Sequence, residues 1–166
     1  GEVWPLAFHV HGPREAVAAL RDTLLSSGGV EGDAETWDVL RVEAGRPAFG
    51  PDMDDGTLPP EAGITDRAID HKKGCYTGQE VIVRIRDRGH VNWELRRLDF
   101  GAEGAPESGA ELTEPGSDKS AARIRSVVPS PRAGGYLALA YVRRGVEAVD
   151  FGGRTIPVPE GSPEPL

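Results

Sequence analysis

A single cysteine, Cys75, stands in 166 residues. Without a second one the chain can close no internal disulfide, no C-x-x-C redox pair and no four-thiolate zinc or iron–sulphur site. Such cysteine usage fits a reducing cytoplasm. No apolar run approaches the ~20 residues that cross a bilayer, and no charged-then-apolar leader with a small-residue cleavage site is present. Cations are outnumbered, 19 Lys and Arg against 27 Asp and Glu, for a formal net charge of −8. That balance argues against nucleic acid or an anionic membrane as the main partner. No methionine opens "GEVWPLAF", as expected of a fragment or a processed chain.

Glycine (22) and proline (14) are plentiful instead, which favours many short elements joined by tight turns. The length suffices for one large domain or two small ones. Trp4, Leu6, Phe8 and Val10 alternate with Pro5, Ala7, His9 and His11, the period of a half-buried strand. A helix follows, with Pro13 at its first position, Val17, Leu20 and Leu24 on one face and Ser-Ser-Gly-Gly as its stop. "DAETWDVLRVEAG" predicts a second helix, capped by Asp33, with Trp37, Leu40 and Ala44 as its apolar stripe and Gly45 at its end. Residues 45–70 lack periodicity and form a long connection of the kind that is often functional.

From Trp93 the text changes to "WELRRLDF", "AELTEP", "AARIRSVV", "GYLALAYV" and "EAVDFGGRTIPV". These are short strands, with "DFGGRT" as a two-residue hairpin turn, and they read as a small antiparallel barrel or sandwich. The whole is α+β: an α/β segment over 1–90, a C-terminal β-barrel over 91–160 and a disordered tail over 161–166.

The cysteine lies in "HKKGCYTGQE", residues 71–80. Thr77 and Glu80 have the spacing of a capping box that starts a helix at Gly78. Cys75 then precedes a helix N-terminus, where the dipole, Lys72 and Lys73 favour a thiolate over a thiol. Gly74 and Gly78 permit tight turns and leave the sulphur approachable. The following "VIVRIR" is β-branched and alternating, so propensity favours a strand where capping favours a helix. A lone cysteine is also commonly a buried packing residue, and both readings of the thiol stand.

Lys73 to Arg84, "KGCYTGQEVIVR", matches the K-G-C-x-x-G-Q-E-x-x-x-R signature of the YgfZ family. These are folate-binding proteins that assist iron–sulphur cluster assembly or repair. Leu40 to Asp55, "LRVEAGRPAFGPDMDD", resembles a stretch that YgfZ shares with the glycine cleavage T-protein, an aminomethyltransferase. "LPPEAGI", Leu58 to Ile64, resembles the segment that follows it in both. The resemblance implies a T-protein-like fold, with a ferredoxin-like α/β segment and a small β-barrel, in a three-domain ring whose channel holds tetrahydrofolate. It covers the C-terminal half of such proteins, so a separate or missing N-terminal half is an implied partner, as are iron–sulphur client or assembly proteins.

The resemblance makes Cys75 the key thiol, with Lys73 stabilising it or binding an anionic group. Arg41 matches an arginine near the folate glutamate tail, where a planar guanidinium suits a carboxylate. Glu43 lies in the same block. Tyr76 either packs or stacks on a pterin, and Gln79 bonds either its own loop or a ligand. Gly74, Thr77, Gly78 and Glu80 read as loop-shaping and capping residues, and Arg84 as the partner of an acid. His71 is a proton partner for Cys75 or a surface side chain. Asp52, Asp54 and Asp55 lack calcium-loop spacing and suit caps or turns. The leading expectation is a folate-dependent accessory factor. The alternatives are an aminomethyltransferase that moves a one-carbon unit to tetrahydrofolate, and an interaction module in which Cys75 is inert.

Overall fold

The computed structural model describes residues 10–161, the Arg88 side chain excepted. The strand expected over residues 4–11 and the tail therefore fall almost wholly outside the described residues. Helix α1, Arg14–Ser26, begins one residue after Pro13, whose φ of −55° and ψ of 141° keep it just outside the helix. The stripe of Val17, Leu20 and Leu24 forms but stays exposed, and no residue of α1 is buried.

Helix α2, Ala34–Glu43, starts as expected. The Asp33 carboxylate accepts from the Thr36 amide at 2.8 Å and its hydroxyl at 2.7 Å, satisfying a donor that the first turn leaves open. It ends in a paired closure: the Arg46 amide donates to the Arg41 carbonyl and the Gly45 amide to that of Val42, with Gly45 left-handed at φ 63°. The buried face differs from expectation. Trp37 and Leu40 are exposed, and the buried run is Arg41 to Gly45. The buried residues are consecutive, so depth along the chain, rather than angle around the helix, decides what is covered.

The long connection folds into turns and a four-residue helix, α3, Thr65–Ala68. Helix α4, Gln79–Arg88, resolves the helix-or-strand tie. Ile82 is buried and Gln79, Val83 and Ile85 are half-buried, with spacings of three and four residues from Gln79 and Ile82, whereas Val81 is exposed, so the less exposed positions follow a helical period.

Six strands follow: β1 Trp93–Gly101, β2 Glu111–Thr113, β3 Ser120–Ser130, β4 Gly135–Arg143, β5 Ala148–Phe151 and β6 Arg154–Pro157. They form one antiparallel sheet in the order β1-β4-β3-β2-β5-β6. The two ends of that order curl back into contact, and the Arg154 guanidinium ties them by donating to the Phe100 and Gly104 carbonyls at 2.9 and 2.8 Å. The β5–β6 turn is the expected two-glycine hairpin, Gly152 at φ 61° and Gly153 at φ 83°.

Inside the curl lies one core, including Leu98, Phe100, Ile124 and Val149. The opposite face carries a second, with Leu95, Leu137, Leu139 and Tyr141 gathered around Val42 of α2. Val42 thus joins the helical segment to the sheet. Among the described residues no helix is long and apolar enough to cross a membrane.

Candidate functional site

Cys75 is a free, exposed thiol in the turn that leads into α4. Gly78, left-handed at φ 83°, occupies the N-cap, and no side chain caps the helix. The expected capping box is corrected here. Thr77 lies outside the cap, Glu80 stands in the first turn, and the chain is turned by the glycine backbone, with the Gln79 amide donating to the Tyr76 carbonyl at 3.2 Å. The Lys73 ammonium lies 4.9 Å from the Tyr76 ring centroid, a cation–π contact. The Lys72 amide donates to Asp70 at 2.8 Å, forming the bend ahead of the thiol. Tyr76 and Gln79 are half-buried, whereas His71, Gly74 and Arg84 are exposed. No acid pairs with Arg84 among the described residues.

Arg41 and Glu43 occupy a second location, the buried end of α2. The Arg41 Nη1 donates to the Asp52 carboxylate at 2.6 Å, its Nε to Asp38 at 2.6 Å and its Nη2 to the Ser126 hydroxyl at 2.7 Å. Asp52 is fully buried and also accepts from the Ala48 and Ser126 amides at 2.9 and 3.1 Å. It sits in a turn, as its sequence context suggested, and is in addition an interior anion. Asp54 does hold a turn, accepting from the Gly56 amide at 2.9 Å. Among the described residues no group of acids, histidines and cysteine gathers as a metal site. The Glu43 carboxylate accepts from Ser130 at 2.6 Å, and its backbone carbonyl accepts from Arg97. Burial lowers the Arg97 pKa, against the opposing pull of Asp99 and Glu43.

The arrangement gives two separate chemistries: an accessible sulphur beside a cation-stacked tyrosine, and an interior salt-bridge network that fixes α2 to the bulged part of β3. Sequence reasoning missed Ser126 and Ser130 as parts of the second. They lie more than 80 residues from α2 (87 between Glu43 and Ser130), and a strand-like alternation conceals them. Asp52 stood in a recognised block and was open to detection there.

No protein-family model matches the chain. An aminomethyltransferase of Rubrobacter xylanophilus is 32% identical over 130 residues, covering 78% of this chain and 34% of that protein. The tRNA-modifying protein YgfZ of Escherichia coli is 33% identical over 100 residues, covering 59% of this chain and 30% of that one. The crystal structure of glycine cleavage system aminomethyltransferase T from Bartonella henselae superposes with a TM-score of 0.70 at 23% identity, over 91% of this chain and 44% of that one. That likeness establishes the fold. The chain spans about a third of the length of these curated relatives, a coverage that fits the C-terminal half to which the motifs pointed. By sequence and by fold, the chain is a homologue of the YgfZ and aminomethyltransferase proteins.

Proposed function

We propose that this chain is part of a folate-dependent accessory factor for iron–sulphur cluster assembly or repair, acting in the cytoplasm with Cys75 as its key thiol. The observation that carries this reading is the exposure of Cys75 within the unbroken "KGCYTGQE" block, on a turn bent by left-handed Gly78. An exposed sulphur is free to meet a client or a ligand, where a packing cysteine is not. Lys73 and Tyr76, its neighbours in the turn, stack on one another.

Tetrahydrofolate fits the residues present in part. Tyr76 and Gln79, half-buried beside Cys75, offer a ring face and an amide. Arg41 and Glu43 have their polar groups engaged by interior partners, so in this reading they hold α2 on the sheet and other parts of the longer protein complete the ligand site. When bound, tetrahydrofolate supplies a carrier for a one-carbon unit. The partners in this reading are the folate, iron–sulphur client or assembly proteins, and the N-terminal half of the protein.

The test is the rate of Cys75 alkylation by iodoacetamide, with and without 5-formyltetrahydrofolate and with Lys73→Ala. Protection by the folate, together with slower labelling in the variant, is the expected result. Labelling unchanged by both removes Cys75 from any ligand site that this chain forms by itself.

A second reading, an aminomethyltransferase, is favoured by the larger share of this chain that the Rubrobacter xylanophilus enzyme matches. Cys75→Ser separates the two. It abolishes the accessory function in the first reading and leaves one-carbon transfer intact in the second.

A further inference from the structure

We propose that the cavity between α2 and the β1–β2 loop binds a small apolar α-amino acid, with its carboxylate on Arg125 and its ammonium on Glu107. The cavity, of about 310 Å³, is distinct from the Cys75 turn. Its volume lies at the small end of the ~300–1,000 Å³ typical of ligand pockets.

Arg125 is aimed by a β-bulge. The register of β3 against β4 shifts between Ile124 and Val127, and a bulge is a device that re-aims a side chain out of the regular alternation. The backbone freed there is held by side chains from other elements: the Ser126 amide donates to Asp52, and the Ser108 hydroxyl donates to the Arg125 carbonyl. The guanidinium lies 5.5 Å from the Tyr141 ring centroid. Its Nε is shut off from water and has no hydrogen-bond partner, and among the described residues no acid pairs with it. The Nε is closed to a ligand as it is to water, so a carboxylate in the cavity meets Arg125 through its outer guanidinium nitrogens, which suit a planar anion.

The other charges fix the ligand class. Arg41 is already engaged by Asp38 and Asp52, so Arg125 is the uncommitted cation of the cavity wall. Glu107 lines the same cavity, exposed and without an ion-pair partner among the described residues. A simple anion drawn to Arg125 meets repulsion from Glu107, and a simple cation meets the reverse. A zwitterion satisfies both. Pro51, Pro106, Val127 and Val128 supply apolar wall, which suits a small aliphatic side chain.

Calorimetry on the whole chain tests this with L-valine, with 3-methylbutanoate (valine without its ammonium) and with 2-methylpropylamine (valine without its carboxylate). The expected result is saturable binding of L-valine with a Kd of about 1 mM or tighter, and binding of each half-molecule at least about tenfold weaker. Arg125→Gln is expected to abolish valine binding. Glu107→Gln is expected to weaken valine and to strengthen 3-methylbutanoate. Absence of saturable heat from valine overturns the proposal, as does equal affinity for 3-methylbutanoate. Arg125 stacks on a core tyrosine, so if its variant fails to fold, Glu107→Gln, on an exposed loop, decides alone, and unchanged valine affinity in that variant overturns the proposal.

Discussion

The Arg41 guanidinium meets the Asp52 carboxylate at 2.6 Å with side-chain exposures of 6% and 0%. The pair joins α2 to the connection after it, and Asp52 extends the link to β3 through the Ser126 amide. Removing one partner of a buried pair leaves the other charged and unpaired, which costs about 3–5 kcal/mol. Asp52→Ala is expected to lower unfolding stability by that amount in urea denaturation. Adding Arg41→Met to it is expected to recover part of the loss, because the stranded charge is gone. A loss below about 1 kcal/mol for Asp52→Ala alone contradicts the structural role assigned here.

Gly135 opens β4 against the end of β1. A Cβ placed there falls 2.3 Å from the Gly101 carbonyl carbon and 2.4 Å from its oxygen, both backbone atoms that cannot swing aside. The irregularity of β1 between Asp99 and Gly101 brings the two backbones this close. Gly135→Ala is expected to cost about 3 kcal/mol, at the upper end of ordinary overpacking, and to lower the melting temperature accordingly. A neutral melt excludes the close approach.

The strands were legible because their pattern is local. "GYLALAYV" is a continuous apolar run, and β4 is central and buried on both faces, while the two glycines of the β5–β6 turn announce its type. The start of α2 was legible for the same reason, since Asp33 and Thr36 are three residues apart. Its buried face was not, because burial by depth leaves no period in the sequence. The start of α4 was misread at Thr77: capping-box spacing is a side-chain signal, and left-handed Gly78 displaced it. The position of Cys75 was legible and its exposure was not. Arg41 was found through its motif, but its partners Asp38, Asp52 and Ser126 come from three separate segments.

Tyr141 is expected to set an alkaline limit on stability. Burial raises its pKa above the ordinary value near 10; Thr57 approaches the hydroxyl and pulls the other way without closing a hydrogen bond, as does the Arg125 charge. A phenol with a raised folded-state pKa contributes stability that is fully present below its unfolded pKa and is lost as pH rises through the folded value. Urea midpoints are therefore expected to hold up to about pH 10 and to fall above it. Tyr141→Phe is expected to flatten that part of the decline and to cost little at neutral pH. A decline of the same steepness in Tyr141→Phe assigns the alkaline loss to other groups.

The two glycines that flank Cys75 differ in what they allow. Gly78 is left-handed at φ 83°, so a side chain there is strained by roughly 1–2 kcal/mol even though a Cβ would meet open space. Gly74 faces open space and has no such backbone demand. Gly78→Ala is expected to loosen the start of α4 and to change the rate at which iodoacetamide labels Cys75, whereas Gly74→Ala is expected to leave both near their original values. The comparison isolates the turn from steric bulk, because each variant adds one methyl group that meets open space in the same loop. Equal labelling in the two variants means that the left-handed turn at Gly78 does not govern how the sulphur is presented.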